Sequence, residues 1–195
     1  PSRMLIPRKS YEKAVEVAGA VAARIPVGDP QAAGTKMGPV ANGAQFQRVQ
    51  ALIARGIEEG ARVVTGGLGR PPGLERGYFV KPTIFADVTA SMTIAREEIF
   101  GPVLVLMAYD SEEEAIRIAN DSVYGLSGHV HSGSLEHARR VAARLRTGMV
   151  HLNGAARDFT APFGGYKRSG NGREWGREGF REFLETKSVM GFYSS

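Results

Sequence analysis

The chain has 195 residues, 43% of them hydrophobic, with 25 glycines, 10 prolines and no cysteine. The absence of cysteine excludes disulfide scaffolds, cysteine-ligated zinc or iron–sulfur sites, and any thiol nucleophile carried by these residues. The formal charge of +5 permits anionic ligands without requiring nucleic acid. The length suffices for one sizeable core.

In chain order, Ser10 is placed to cap a helix whose apolar residues Ala14, Val15, Ala18, Val21, Ala22 and Ile25 follow the helical period and stop at Pro26. Asn42 and Gln45 read as a capping box ahead of Phe46, Val49, Ile53 and Ile57, with Gly60 ending that helix. Arg62 to Thr65 reads as a strand, Gly66-Gly67 and Pro71-Pro72-Gly73 break the pattern, and Tyr78-Phe79-Val80 resumes extended structure before Pro82. The apolar run Pro102 to Met107 has the length and composition of a strand buried on both faces.

Ser111 and Glu114 form a second capping box leading into Ala115, Ile116, Ile118 and Ala119. Gly125 to His131 is a strand candidate, and Ser134 caps a helix through Leu145 that Gly148 closes. Met149 to Leu152 is a strand again. This β-α-β-α-β alternation implies an α/β fold with a mostly parallel sheet and helices on its faces. A last helix is expected from Arg173 to Leu184, and Lys187 to Tyr193 reads as a terminal strand that needs a partner.

The adjacent acids Glu97 and Glu98 precede Ile99-Phe100-Gly101-Pro102 at the amino end of a strand, where spacing alone reads as a solvated turn. Pro162 to Gly172 is glycine-rich with Lys167 and Arg168, a composition compatible with an anion nest. It lacks the spacing of a Walker loop or a dinucleotide fingerprint, so a structural turn is the simpler reading. His129 and His131 share one strand face without a third ligand at recognisable spacing, so no metal site is expected. Trp175, Tyr166, Phe180 and Phe183 read as packing for the last helix. From Arg139 to Lys187 there are eleven basic and five acidic side chains, which read as Arg-rich solvated helix faces. Aromatic residues interleaved for nucleic acid are missing, and no run reaches the length of a membrane span.

Several phrases together resemble the aldehyde dehydrogenase superfamily, in family order: Ser2-Arg3, Val27-Gly28-Asp29-Pro30, Met37-Gly38-Pro39, Gly77 to Thr83, Glu97 to Pro102, Ala119-Asn120-Asp121, Tyr124-Gly125-Leu126, Asn153, Pro162 to Lys167, Ser169-Gly170 and Lys187-Ser188-Val189. The resemblance implies a three-layer αβα catalytic domain over residues 1–185, with residues 186–195 as a C-terminal oligomerisation strand. It also implies oxidation of an aldehyde to a carboxylic acid with NAD or NADP through a cysteine thiolate. By the same resemblance Glu98 holds the nicotinamide ribose hydroxyls, Phe100 packs near the nicotinamide, Phe163 forms an aromatic wall of the substrate tunnel, and Phe159 is a second substrate contact. The Gly164 to Lys167 segment then becomes a supporting turn.

No catalytic residue is expected among these 195, because the family nucleophile precedes the segment matched by Ser2-Arg3. Pro1-Ser2-Arg3-Met4-Leu5 is accordingly read as a cut end whose missing N-terminal half carries the nucleophile, the general base and most of the cofactor pocket. A homo-oligomer, dimer or tetramer, in the cytoplasm is expected, with neither nucleic acid nor membrane as partner. The competing expectation is a free-standing, non-catalytic binding module of the same fold that uses the basic 139–187 region for an anionic partner.

Overall fold

The computed structural model describes residues 2–191. The chain divides into two compact units, Pro1–Ala119 and Asn120–Ser195.

The first unit is built on a four-stranded sheet in the order β1-β4-β3-β2, formed by β1 (Arg3–Pro7), β2 (Arg62–Thr65), β3 (Thr83–Ala86) and β4 (Val103–Tyr109). β1 and β3 run parallel to the central β4, whereas β2 joins the edge antiparallel to β3. Alternation along the strands sorts the side chains into two apolar layers. Phe85, Val103, Val105 and Met107 meet Phe46, Val49 and Ile53 of α2 (Gly43–Glu58), Ile94 of α3 (Thr93–Arg96) and Ile118 of α4 (Glu112–Asn120). Ile84, Ala86 and Leu106 face Tyr11, Val15 and Ala22 of α1 (Tyr11–Ala23). Helices therefore cover both faces of a mostly parallel sheet, as the sequence predicts. Burial of each large core side chain contributes about 1.5–3 kcal/mol.

Local signals fare unevenly. Asn42 caps α2 by accepting the Gln45 N–H at 2.9 Å. Ser10 makes no side-chain cap; a 3-10 turn over Arg8–Ser10 leads into α1 instead. The Ser111 hydroxyl accepts the Glu114 N–H at 3.2 Å, and the Glu114 carboxylate accepts the Asp110 N–H at 2.8 Å. The expected strand at Tyr78 to Val80 does not form, Tyr78 sitting in a bend, and pairing begins only at Thr83, after Pro82. Proline lacks the N–H a ladder needs, so the strand starts just after it.

The second unit pairs β6 (Ser127–Val130) parallel to β7 (Met149–Leu152), and β5 (Tyr124–Gly125) antiparallel to β8 (Tyr166–Lys167). α5 (Leu135–Ala142) begins at Ser134, whose hydroxyl accepts the His137 N–H at 3.2 Å. It stops short of Leu145 because Asn120 captures the following turn. The Asn120 amide donates to Arg144 O at 2.9 Å, and its oxygen accepts the Arg146 N–H at 2.7 Å.

α6 (Gly176–Arg181) is likewise shorter than the predicted Arg173 to Leu184. Phe163 and Glu174 form an antiparallel bridge that holds residue 174 extended, and Trp175 has φ +62°. Residues 187–191 form no strand within this chain, and the last two positions of the expected terminal strand, Phe192 and Tyr193, lie outside the described residues.

Candidate functional site

The Glu97 to Pro102 segment lies at the amino end of β4, on the sheet end where the Ser2 carbonyl accepts the Val105 N–H at 3.0 Å. Ile99 is buried in the core and anchors the segment, whereas Phe100 is 72% exposed at φ +55°. A non-glycine residue holds that conformation only when its surroundings enforce it. The enforcement comes from α2. The Gln45 side-chain amide donates to Phe100 O at 2.6 Å and to Ile99 O at 3.2 Å. Arg48 donates to Glu98 O at 3.2 Å and pairs with the Glu97 carboxylate at 3.5 Å. A Cβ on Gly101 would come within 2.7 Å of Val49 Cγ2, so only glycine lets the segment lie this close to α2.

Glu97 is thus spent on an ion pair, while the half-buried Glu98 carboxylate forms no hydrogen bond or ion pair among the described residues. The adjacent acids have separate fates that spacing alone does not reveal. An acceptor-only carboxylate beside an outward-held phenyl ring suits a ligand that presents hydroxyls and a flat apolar surface.

The second unit gathers the other two predicted residues. Phe159 and Phe163 both contact the Trp175 ring, each with ring centroids 4.7 Å apart. Trp175, assigned to helix packing by the sequence, instead lies between the two residues that the resemblance associates with substrate. Lys167 of the glycine-rich segment and Arg173 just after it are both spent on main-chain carbonyls. Lys167 Nζ donates to Asn120 O and Ser122 O, both at 2.8 Å, and Arg173 Nη1 donates to Gly165 O, Asn171 O and Gly172 O at 3.0, 3.2 and 2.8 Å. The Arg173 bonds brace the main chain of the segment at Gly165, Asn171 and Gly172, an arrangement that suits a structural turn.

His129 stacks on His151 across the β6–β7 pair, with centroids 4.9 Å apart and planes at 14°. Burial, followed by the neighbouring His151, holds the His129 imidazole below its ordinary value. The structural partner of His129 is thus its cross-strand neighbour, where the sequence suggests His131. Among the described residues no group of three or more His, Asp or Glu side chains is placed to hold a metal ion, and no helix is long and apolar enough to cross a membrane.

Gln45, Arg48 and Trp175 are absent from the sequence-derived candidates. Gln45 sits at the third helical position after Asn42, where the capping-box pattern assigns its side chain to the helix's own start. Its real partners lie 54 and 55 residues away.

The chain matches the model of the aldehyde dehydrogenase family over residues 1–189. It is 62% identical to a 3-succinoylsemialdehyde-pyridine dehydrogenase of a Pseudomonas species, a match covering all of this chain and 41% of that protein. It superposes with a TM-score of 0.97 and 56% identity on a mutant of aldehyde dehydrogenase C from Pseudomonas syringae complexed with NAD+ and octanal, covering 100% of this chain and 40% of that one. A Mycobacterium tuberculosis aldehyde dehydrogenase complexed with NAD+ matches with a TM-score of 0.93 and 47% identity, covering 99% of this chain and 40% of that structure. An α/β fold with a mixed, mostly parallel sheet is the class these matches share. The chain belongs to the aldehyde dehydrogenase family. It spans about two fifths of the length of the relatives it matches.

Proposed function

We propose that the longer protein to which this chain corresponds oxidises an aldehyde to a carboxylic acid with NAD+ or NADP+. The likeness to the P. syringae enzyme complexed with NAD+ and octanal, at 56% identity over the whole chain, carries this reading. The chain contains no cysteine, so the attacking thiolate is assigned to a part of the longer protein beyond these residues. The cofactor, when bound, supplies the hydride acceptor.

This chain's residues bind and orient. Glu98 accepts the ribose hydroxyls, a task supported by a carboxylate without a partner among the described residues. Phe100 packs at the nicotinamide ring, a placement supported by its enforced outward backbone. Phe163 and Phe159 contact the aldehyde. Residues 1–185 then belong to the catalytic domain, and 186–195 act as an oligomerisation tail in a cytoplasmic dimer or tetramer.

The chain alone is expected to reduce no NAD(P)+ with aldehydes, and the longer protein to do so. In that protein, Glu98→Gln removes a charge-assisted hydrogen bond of about 1.5–3 kcal/mol, so kcat/KM for the cofactor should fall about 10- to 100-fold. Steady-state kinetics unchanged by Glu98→Gln would refute its role, and turnover by the chain alone would refute the whole assignment.

A further inference from the structure

The chain has four asparagines, and three of them, Asn42, Asn153 and Asn171, precede glycine, the residue least able to shield its own N–H from a neighbouring side chain. An asparagine amide is open to attack by the main-chain nitrogen that follows it when that nitrogen is unbonded and the side chain is free to swing onto it. The fold treats the three pairs differently.

Asn42 caps α2. Its Oδ1 accepts the Gln45 N–H at 2.9 Å, and Gly43 is already the first helical residue. Asn153 and Gly154 are the two central residues of a tight turn, at φ +49° and +75°, closed by the Ala155 N–H donating to Leu152 O at 2.9 Å. Asn153 Oδ1 also accepts the Ser132 N–H at 2.8 Å. Asn171 and Gly172 are exposed, and neither the Asn171 side chain nor the Gly172 N–H forms a hydrogen bond among the described residues. Only their carbonyls are held there, by Arg173 Nη1 donating to Asn171 O at 3.2 Å and Gly172 O at 2.8 Å. Loss of the Gly172 amide proton places negative charge on Asn171 O, which this guanidinium stabilises.

We propose that Asn171 is a site of spontaneous modification, deamidating through a cyclic imide formed with Gly172. The Gly172 nitrogen gives its proton to hydroxide and bonds to Asn171 Cγ, and the Cγ–Nδ2 bond breaks as ammonia leaves with a proton taken from water. Water then opens the ring at either carbonyl, to aspartate or to isoaspartate, with nothing oxidised or reduced. Either product sets a carboxylate close to Arg173, and the isoaspartyl form adds a methylene to the main chain that Arg173 braces.

Trypsin separates the three pairs into residues 37–48, 147–157 and 169–173, so one digest reads all of them. The longer protein, held folded at mildly alkaline pH for days, should accumulate two isomeric products in 169–173, each heavier by about 1 Da. They should form about 10-fold faster than products in the other two peptides. In urea the three rates should draw within about three-fold of one another. Gly172→Ala, whose methyl would meet nothing within 4 Å, should keep the fold and slow conversion at Asn171 about 10-fold, with Asn42 and Asn153 unchanged. A native rate at Asn171 no greater than at Asn42 or Asn153, a lead that survives unfolding, or an unslowed Gly172→Ala variant overturns the proposal.

Discussion

Replacing Gln45 by Leu keeps the size of the side chain and removes the donor that holds the Ile99–Phe100 carbonyls. Two hydrogen bonds are lost, at 2.6 and 3.2 Å. Each is worth about 0.5–1.5 kcal/mol net, and the exposed position of Phe100 lets water replace part of that, so about 1–2 kcal/mol of stability should go. For a chain of this size that corresponds to a melting temperature lower by about 2–8 °C. The backbone of Phe100, at φ +55°, should relax toward ordinary conformations once released. Phe100→Gly separates the two effects. It removes a ring that is 72% exposed and eases the φ penalty, so it should raise stability by about 1 kcal/mol. The cost of Gln45→Leu should then be smaller in the Phe100→Gly background, a coupling readable from thermal unfolding of the two single variants and the double. If Gln45→Leu leaves the melting temperature unchanged, or costs the same in both backgrounds, the enforcement of this segment by α2 is wrong.

Phe85→Ala, at a fully buried position facing α2 and α3, should cost about 3–5 kcal/mol in urea unfolding, with amide exchange accelerated across the first unit. A Cβ on Gly148 would run into the main chain of Gly164 and Gly165, which cannot swing aside as a side chain would, so Gly148→Ala should cost about 1–3 kcal/mol or more. Its loss should appear in the second unit's amides, and a fully stable variant would show that the glycine-rich segment is loosely held.

His129 is held below its ordinary value by burial and by His151, so its neutral form is favoured in the fold. The unfolded chain takes up a proton near pH 6.5 while the folded chain takes it up at lower pH, so stability should fall as pH drops below about 6.5. Denaturant midpoints between about pH 7 and pH 5 should show this dependence, and His151→Phe, which keeps the stack but removes the like charge, should reduce it. An unaltered pH profile in that variant would place the cause elsewhere.

The sequence by itself determined what depends on neighbouring residues. The 3.6-residue stripe of α2, the Asn42 and Ser134 caps and the apolar run of β4 are local, each read from a window shorter than its own element. The resemblance to the aldehyde dehydrogenase family was legible in the same way, because its phrases are short runs in fixed order.

Only the tertiary structure decided which of two adjacent acids is spent, because the ion pair of Glu97 comes from Arg48, 49 residues away. It decided that α5 ends early, because Asn120 takes over hydrogen bonds that a continuing helix would have used. It also turned Trp175 from a packing residue into the centre of an aromatic wall, through a bridge between Phe163 and Glu174 that no periodicity announces. Helix caps and apolar stripes are fixed by bonds within a few residues, whereas a side chain's availability for chemistry depends on partners the chain brings from far along its length.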